Sequence, residues 1–190
     1  MTGSRSADHF RRIYASGPDP WGFASSPYEQ TKYQRTIEAL GGRRFASALE
    51  IGCSIGVLTR MLAGHCDRLL GIDVVPEPLA AARGRCADLP WVSFAEMQAP
   101  DRWPDGRFDL IVFSEILYFL DRTDIHRCAN LARNSVLPNA TIVLVNWLGC
   151  SDDPCSGDEA ADTFVEVCTG RCQSRQVQRE VGYRIDVISY

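Results

Sequence analysis

The run Ala48-Leu49-Glu50-Ile51-Gly52-Cys53-Ser54-Ile55-Gly56 passes from an apolar strand into a turn of small residues that opens a helix. The next apolar run ends in a second acid, Asp73. This spacing builds a βαβ unit able to hold a ligand that carries adenosine. Gly52 and Gly56 remove side chains where ligand and backbone approach closely, and the helix N-terminus adds unpaired N–H groups. In such a unit Asp73 accepts hydrogen bonds from the two ribose hydroxyls.

A dinucleotide fits this turn poorly. Its fingerprint, Gly-x-Gly-x-x-Gly, sets a pyrophosphate on the helix N-terminus. Here the glycines are four apart, Ser54 takes the middle small position, and Glu50 precedes the turn. Glu50 repels a pyrophosphate and attracts a cation such as the ammonium and sulfonium of S-adenosylmethionine (SAM). The Glu-x-Gly-x-x-x-Gly stretch resembles motif I of the class I SAM-dependent methyltransferases. Three further segments extend the resemblance. Val74 to Arg83 starts a helix with proline in its first turn. Trp91 to Met97 alternates as a third strand ending in an acid. Phe108 to Phe113 is a near-continuous apolar run, as expected for a central parallel strand covered on both faces. The pair Ser114-Glu115 follows at its carboxyl end, where open α/β sheets bind ligands. The resemblance implies that Glu96 contacts the adenine amino group and that Met97 offers its backbone N–H to the ring. It assigns Glu50, Gly52, Cys53, Ser54, Gly56, Asp73, Val74, Glu96, Met97 and Ser114 to the cofactor.

The implied fold is α/β and Rossmann-like: a seven-stranded, mostly parallel sheet in the order 3-2-1-4-5-7-6, with helices on both faces and an N-terminal helical lid. At 190 residues the chain fits one such domain. Residues 1–42 form the lid helices, 43–147 the cofactor-binding core, and 148–190 an acceptor loop with the last strands. Ser26-Pro27-Tyr28-Glu29 signals a helix start: serine cap, proline at the first helical position, and glutamate for a capping box. That helix carries Tyr33, Ile37 and Leu40 on one face and stops at Gly41-Gly42. A shorter helix, Ala7 to Ala15, precedes it. Asp158 to Cys168 has helical character, Tyr183 to Ile188 alternates as a strand, and Gln173 to Val181 supplies its neighbour.

Twenty basic residues against 24 acidic ones give a net charge of −4, which argues against a nucleic-acid partner. No apolar run of about 18 residues could span a bilayer. The first ten residues lack the apolar core of a signal peptide, so the cytoplasm is the expected location. The eight cysteines show no Cys-x-x-Cys pair, so reduced thiols and no metal are expected.

Asp19-Pro20-Trp21, Ser26-Pro27-Tyr28-Glu29-Gln30, Leu49-Glu50-Ile51-Gly52-Cys53, Ile72-Asp73-Val74 and Phe108-Asp109-Leu110-Ile111-Val112 with Glu115-x-Leu117-Tyr118 are similar to the NodS family, over roughly residues 15 to 147. NodS enzymes are rhizobial N-methyltransferases that modify the glucosamine nitrogen of a chitooligosaccharide. The resemblance implies SAM as donor, S-adenosylhomocysteine as product, and a small-molecule acceptor, most simply an amino sugar or oligosaccharide. It implies that Trp21 covers the donor, that Glu115 and Tyr118 are catalytic, and that Tyr28, Tyr118 and Trp147 meet the acceptor. Glu115 either orients the acceptor amine or anchors the cofactor's amino group. After the fifth strand, Thr141 to Asn146, the run from Trp147 to Cys155 has no match to NodS. O-methylation of a sugar or secondary metabolite, and a SAM-binding partner subunit without activity, therefore stay open, as do monomer and homodimer.

Overall fold

The computed structural model describes residues 3–190. Seven strands, β1 (Ala48–Ile51), β2 (Leu69–Asp73), β3 (Val92–Glu96), β4 (Phe108–Ser114), β5 (Val136–Trp147), β6 (Ser174–Glu180) and β7 (Tyr183–Ser189), form one sheet in the order β3-β2-β1-β4-β5-β7-β6. The first five run parallel; β7 is antiparallel to β5, and β6 to β7. Six α-helices accompany them: α1 (Ala7–Tyr14), α2 (Pro27–Glu38), α3 (Val57–Leu62), α4 (Pro76–Arg85), α5 (Arg122–Ser135) and α6 (Gly157–Cys168). This is the strand order expected from the sequence.

Alternation along β4 divides the core. Leu110 and Val112 pack on one face with Leu58 and Leu62 of α3 and Tyr33 of α2. Ile111 and Phe113 pack on the other with Ala129 and Ala132 of α5 and Phe164 of α6. Both faces are therefore buried, which explains why the central strands are almost wholly apolar. At the sheet's far side the buried Arg184 of β7 donates to Asp158 and Asp162 of α6 (2.9 and 2.7 Å) and to Asp186 (2.8 Å), tying the terminal hairpin to that helix.

Three details depart from expectation. In α2 the Ser26 hydroxyl accepts from the Glu29 N–H (3.4 Å), but the Glu29 side chain turns inward to Lys32, so the capping box is only half made. A complete box forms instead at α6, between Ser156 and Glu159. β5 begins at Val136 rather than Thr141, because Pro138 and Asn139 (φ +61°) sit where its pairing with β4 shifts register.

The sheet order reverses between β1 and β4, so their loops diverge and open a crevice at the carboxyl ends. Residues of α1 and α2 face that crevice. No helix among the described residues is long and apolar enough to cross a membrane.

Candidate active site

A cavity of about 540 Å³ fills this crevice, within the size range of small-molecule sites. One end of it is the turn after β1. Gly52 has φ +83°, and a Cβ there would collide with Ile116 and come within 2.7 Å of the Ser114 carbonyl oxygen. The position is a cradle that only glycine leaves open. The Gly52 and Cys53 N–H groups donate to the Ile72 carbonyl (2.9 and 3.1 Å), locking the turn to the end of β2. Asp73 is held beside it, accepting from the N–H groups of Ser54 (2.9 Å) and Val75 (3.1 Å). Burial raises the Asp73 pKa, partly offset by these backbone donors. Tyr14 of α1 shares a 2.5 Å hydrogen bond with the Ser54 hydroxyl and packs edge-on against Trp21. α1 is thus pinned to the glycine turn.

The other end centres on Glu115, a non-glycine residue at φ +59° just past β4. One carboxylate oxygen, Oε2, accepts from the Tyr118 hydroxyl (2.8 Å) and the Trp147 N–H (2.9 Å). The other, Oε1, lies 2.7 Å from the Lys32 ammonium. Burial and the Glu115 carboxylate together push the Tyr118 phenol well up, so Tyr118 stays protonated as a donor. The Trp147 indole packs against Gly149, where any side chain would strike it. Tyr28 donates to the Gly182 carbonyl (3.0 Å) and places its ring 5.2 Å from the Lys32 ammonium. Farther along the cavity wall, Arg5 joins the loop after β5 through Asp153 (3.0 Å) and Asp152 (3.2 Å).

Of the residues expected at the site, Gly52, Ser54, Asp73, Val74, Met97, Ser114 and Trp21 line the cavity, as do Tyr28, Glu115, Tyr118 and Trp147. Four stand outside its lining. Cys53 is buried behind the turn, where burial, with Asp73 and Glu50 nearby, pushes its thiol well up. Gly56 (φ +77°) serves helix packing, since a Cβ there would reach the Cβ of Ala82 in α4 at 2.9 Å. Glu96 lies exposed at the end of β3. Glu50 is buried and accepts from the Thr59 hydroxyl (2.5 Å). It borders a separate void of about 20 Å³, room for one water, whose walls include Gly52, Ser54, Ser114 and Glu115. Sequence reasoning missed Lys32, Glu29 as its partner, and Tyr14.

Burial pushes the Glu50 carboxyl up to about 7, against the Thr59 hydrogen bond that lowers it. A carboxyl raised in the folded state stabilises the fold fully below its ordinary value. That contribution is lost as the pH rises through about 7. Glu50→Gln removes the loss. Its Tm in ligand-free protein is expected to exceed wild type by several degrees at pH 8, on the order of 2 kcal/mol, and to match it near pH 4.5. Parallel Tm profiles across this range would contradict the assignment.

The strand order, the glycine cradle at the end of β1 and the carboxylate at the end of β2 define the class I SAM-dependent methyltransferase fold. The chain belongs to the NodS family: the family model of Nodulation protein S (NodS) matches residues 5–143. It is 33% identical to Nodulation protein S of Bradyrhizobium diazoefficiens over 129 residues, 66% of this chain and 61% of that one. It is 38% identical to the Rhizobium tropici protein of the same name over 103 residues, 54% of this chain and 43% of that one. The chain thus spans about half the length of these curated relatives. A solved structure from Pseudomonas syringae is 31% identical, with a TM-score of 0.72, covering 86% of this chain and 99% of that one. The N-methyltransferase NodS from Bradyrhizobium japonicum WM9, solved with S-adenosyl-L-homocysteine, shares the fold at a TM-score of 0.79 and 22% identity, covering 96% and 97%. The family match takes in α1 and ends inside β5, so the loop carrying Asp152 and Asp153 lies outside it.

Proposed function

We propose that this chain transfers the methyl group of SAM to a small-molecule amine, with an amino sugar or an oligosaccharide of amino sugars as the acceptor. The observation that carries the reading is Glu115, a carboxylate fixed by two hydrogen-bond donors and the Lys32 ion pair in the wall of a cavity that also contains the glycine cradle. The cradle fits SAM: Gly52 leaves backbone open to the ligand, and Asp73 presents a carboxylate for ribose hydroxyls. Ser54, Val74, Met97, Ser114 and Trp21 would form the rest of its surround. When bound, SAM supplies an electrophilic methyl on a sulfonium that leaves as a thioether.

The chain's own residues then have three tasks. Glu115 accepts a hydrogen from the acceptor nitrogen and aims its lone pair. Tyr118, whose hydrogen is committed to Glu115, keeps its oxygen lone pairs for a neighbouring acceptor hydroxyl. Tyr28 and Trp147 offer aromatic faces to a sugar ring, and the lid pinned through Tyr14 excludes water. Positioning of this kind accounts for roughly 7–11 kcal/mol of a transfer barrier. An amine suits the site better than an unactivated hydroxyl, which needs a strong base. His65 and His126 lie off the cavity lining, and His9, which is on it, packs against Phe10 and Phe119.

Paired acceptors test the reading. Chitotetraose with free amines should gain one methyl mass per reacting nitrogen, and its fully N-acetylated counterpart none. Equal labelling of both would point to oxygen and overturn it.

A further inference from the structure

The chain holds 19 arginines and a single lysine, and that lysine is Lys32. It is 2% exposed on α2, in the lining of the cavity, where cations are rarely buried without a reason. Its ammonium bridges two carboxylates from different parts of the fold: Glu29 one turn earlier (3.0 Å) and Glu115 at the end of β4 (2.7 Å). Burial alone would lower the Lys32 pKa, but Glu115 and Glu29 overcome it and raise the value, so the ammonium stays charged. Two carboxylates and one ammonium leave one negative charge in excess in the cavity wall.

Two oxygens of this group retain accepting capacity. Glu29 Oε2 and Glu115 Oε1 are buried, and neither accepts a hydrogen bond of good geometry, although each lies within ion-pair distance of Lys32. A carboxylate oxygen has two lone pairs, so each can take a further N–H. The Glu29 side chain leaves its half of the capping box unmade and faces Lys32 instead. A lysine suits the position because its ammonium is a compact charge with three donors, whereas a guanidinium is a planar fork needing more width.

We propose that Glu29 and Lys32 complete, with Glu115, a seat for the acceptor's amino group: the two carboxylates accept its hydrogens and Lys32 holds them at the spacing that receives it. This rests on the amine-transfer reading above. Glu29 is a substrate-binding residue on this account, and Lys32 a positioning residue. An incoming amine in its ammonium form cancels the excess negative charge, then passes one proton to the Glu115 carboxylate so that the neutral nitrogen attacks the methyl group and leaves as the N-methylammonium product. A hydroxyl cancels no charge, so the seat selects amines over alcohols of the same shape.

The test compares wild type with Lys32→Met, Lys32→Arg, Glu29→Gln and the double variant Lys32→Met/Glu29→Gln, using de-N-acetylated chitotetraose as the probe. Lys32→Met should lower Tm, because it leaves two buried carboxylates unneutralised. The double variant returns the wild-type charge count and should recover Tm and S-adenosylhomocysteine affinity. Its kcat/KM for the tetramer should nonetheless stay at least about tenfold below wild type. Glu29→Gln should raise KM more than it lowers kcat, and Lys32→Arg should not rescue turnover. Recovery of kcat/KM together with Tm in the double variant would show a merely structural ion pair and overturn the inference.

A second readout needs no turnover. Protein labelled with ¹³C-lysine gives one side-chain ε-methylene signal from this chain. In protein saturated with S-adenosylhomocysteine, the free-amine tetramer should shift that signal and the N-acetylated tetramer should not. An unmoved signal in a wild type that does methylate the amine would overturn the seat alone. A wild type that methylates no amine would overturn the reading beneath it, and the seat with it.

Discussion

Gly52→Ala is expected to lose S-adenosylhomocysteine binding by calorimetry, by at least about a hundredfold, while the sheet still folds. Two effects add. At φ +83° any side chain is strained, at a cost of roughly 1–2 kcal/mol. The added Cβ also collides with Ile116 and approaches the Ser114 carbonyl to 2.7 Å, and that carbonyl belongs to the end of β4, which cannot retreat without disturbing Glu115. Relief has to come from the turn itself, which moves the Ser54 N–H off Asp73 and spoils the proposed ribose site. Gly56→Ala makes the useful comparison. It strains a similar φ but presses on Ala82 of α4, so it should lower Tm with a smaller loss of affinity. Equal loss of affinity in both variants would contradict the division of labour between the two glycines.

Glu115→Gln is expected to lower kcat by about 10²–10⁴ while S-adenosylhomocysteine affinity stays within about threefold of wild type. The amide retains an oxygen able to accept from Tyr118 and the Trp147 N–H, so the loop after β4 keeps its shape. It loses the negative charge that faces Lys32 and, on the proposed reading, the acceptor nitrogen. Steady-state kinetics with a free-amine tetramer and calorimetry on the same preparation separate the two quantities. A fall in affinity with unchanged kcat would place Glu115 against the cofactor's amino group instead of the acceptor.

The ligand-facing ends of the strands were legible in the sequence because a parallel sheet buried on both faces writes its strands as apolar runs. A polar residue at the end of such a run stands out, as Asp73, Ser114 and Glu115 do. The glycine turn was legible for a similar reason, since few local structures need Gly52 and Gly56 at that spacing. The surroundings of Glu50 were not. Its partner is Thr59 from the following helix, and only the packed structure shows that its carboxylate is buried outside the cavity lining. Glu29 and Lys32 sit in a polar stretch of α2, where the pattern suggests a solvated face and a capping glutamate. Their burial comes from α2 folding over the sheet's carboxyl edge, a tertiary fact. The solitary lysine in a chain otherwise built with arginine was the available signal. The start of β5 was hidden because Pro138-Asn139 resembles a turn and is in fact a register shift inside a strand.

The most direct measurement is transfer from SAM carrying a ¹³C-methyl group to de-N-acetylated chitotetraose, with the product methyl located by carbon and proton NMR. A single new signal in the N-methyl region, absent without enzyme and lost in Glu115→Gln, is the predicted result. A signal in the O-methyl region, or no product from protein that binds S-adenosylhomocysteine, would contradict amine transfer to an amino sugar.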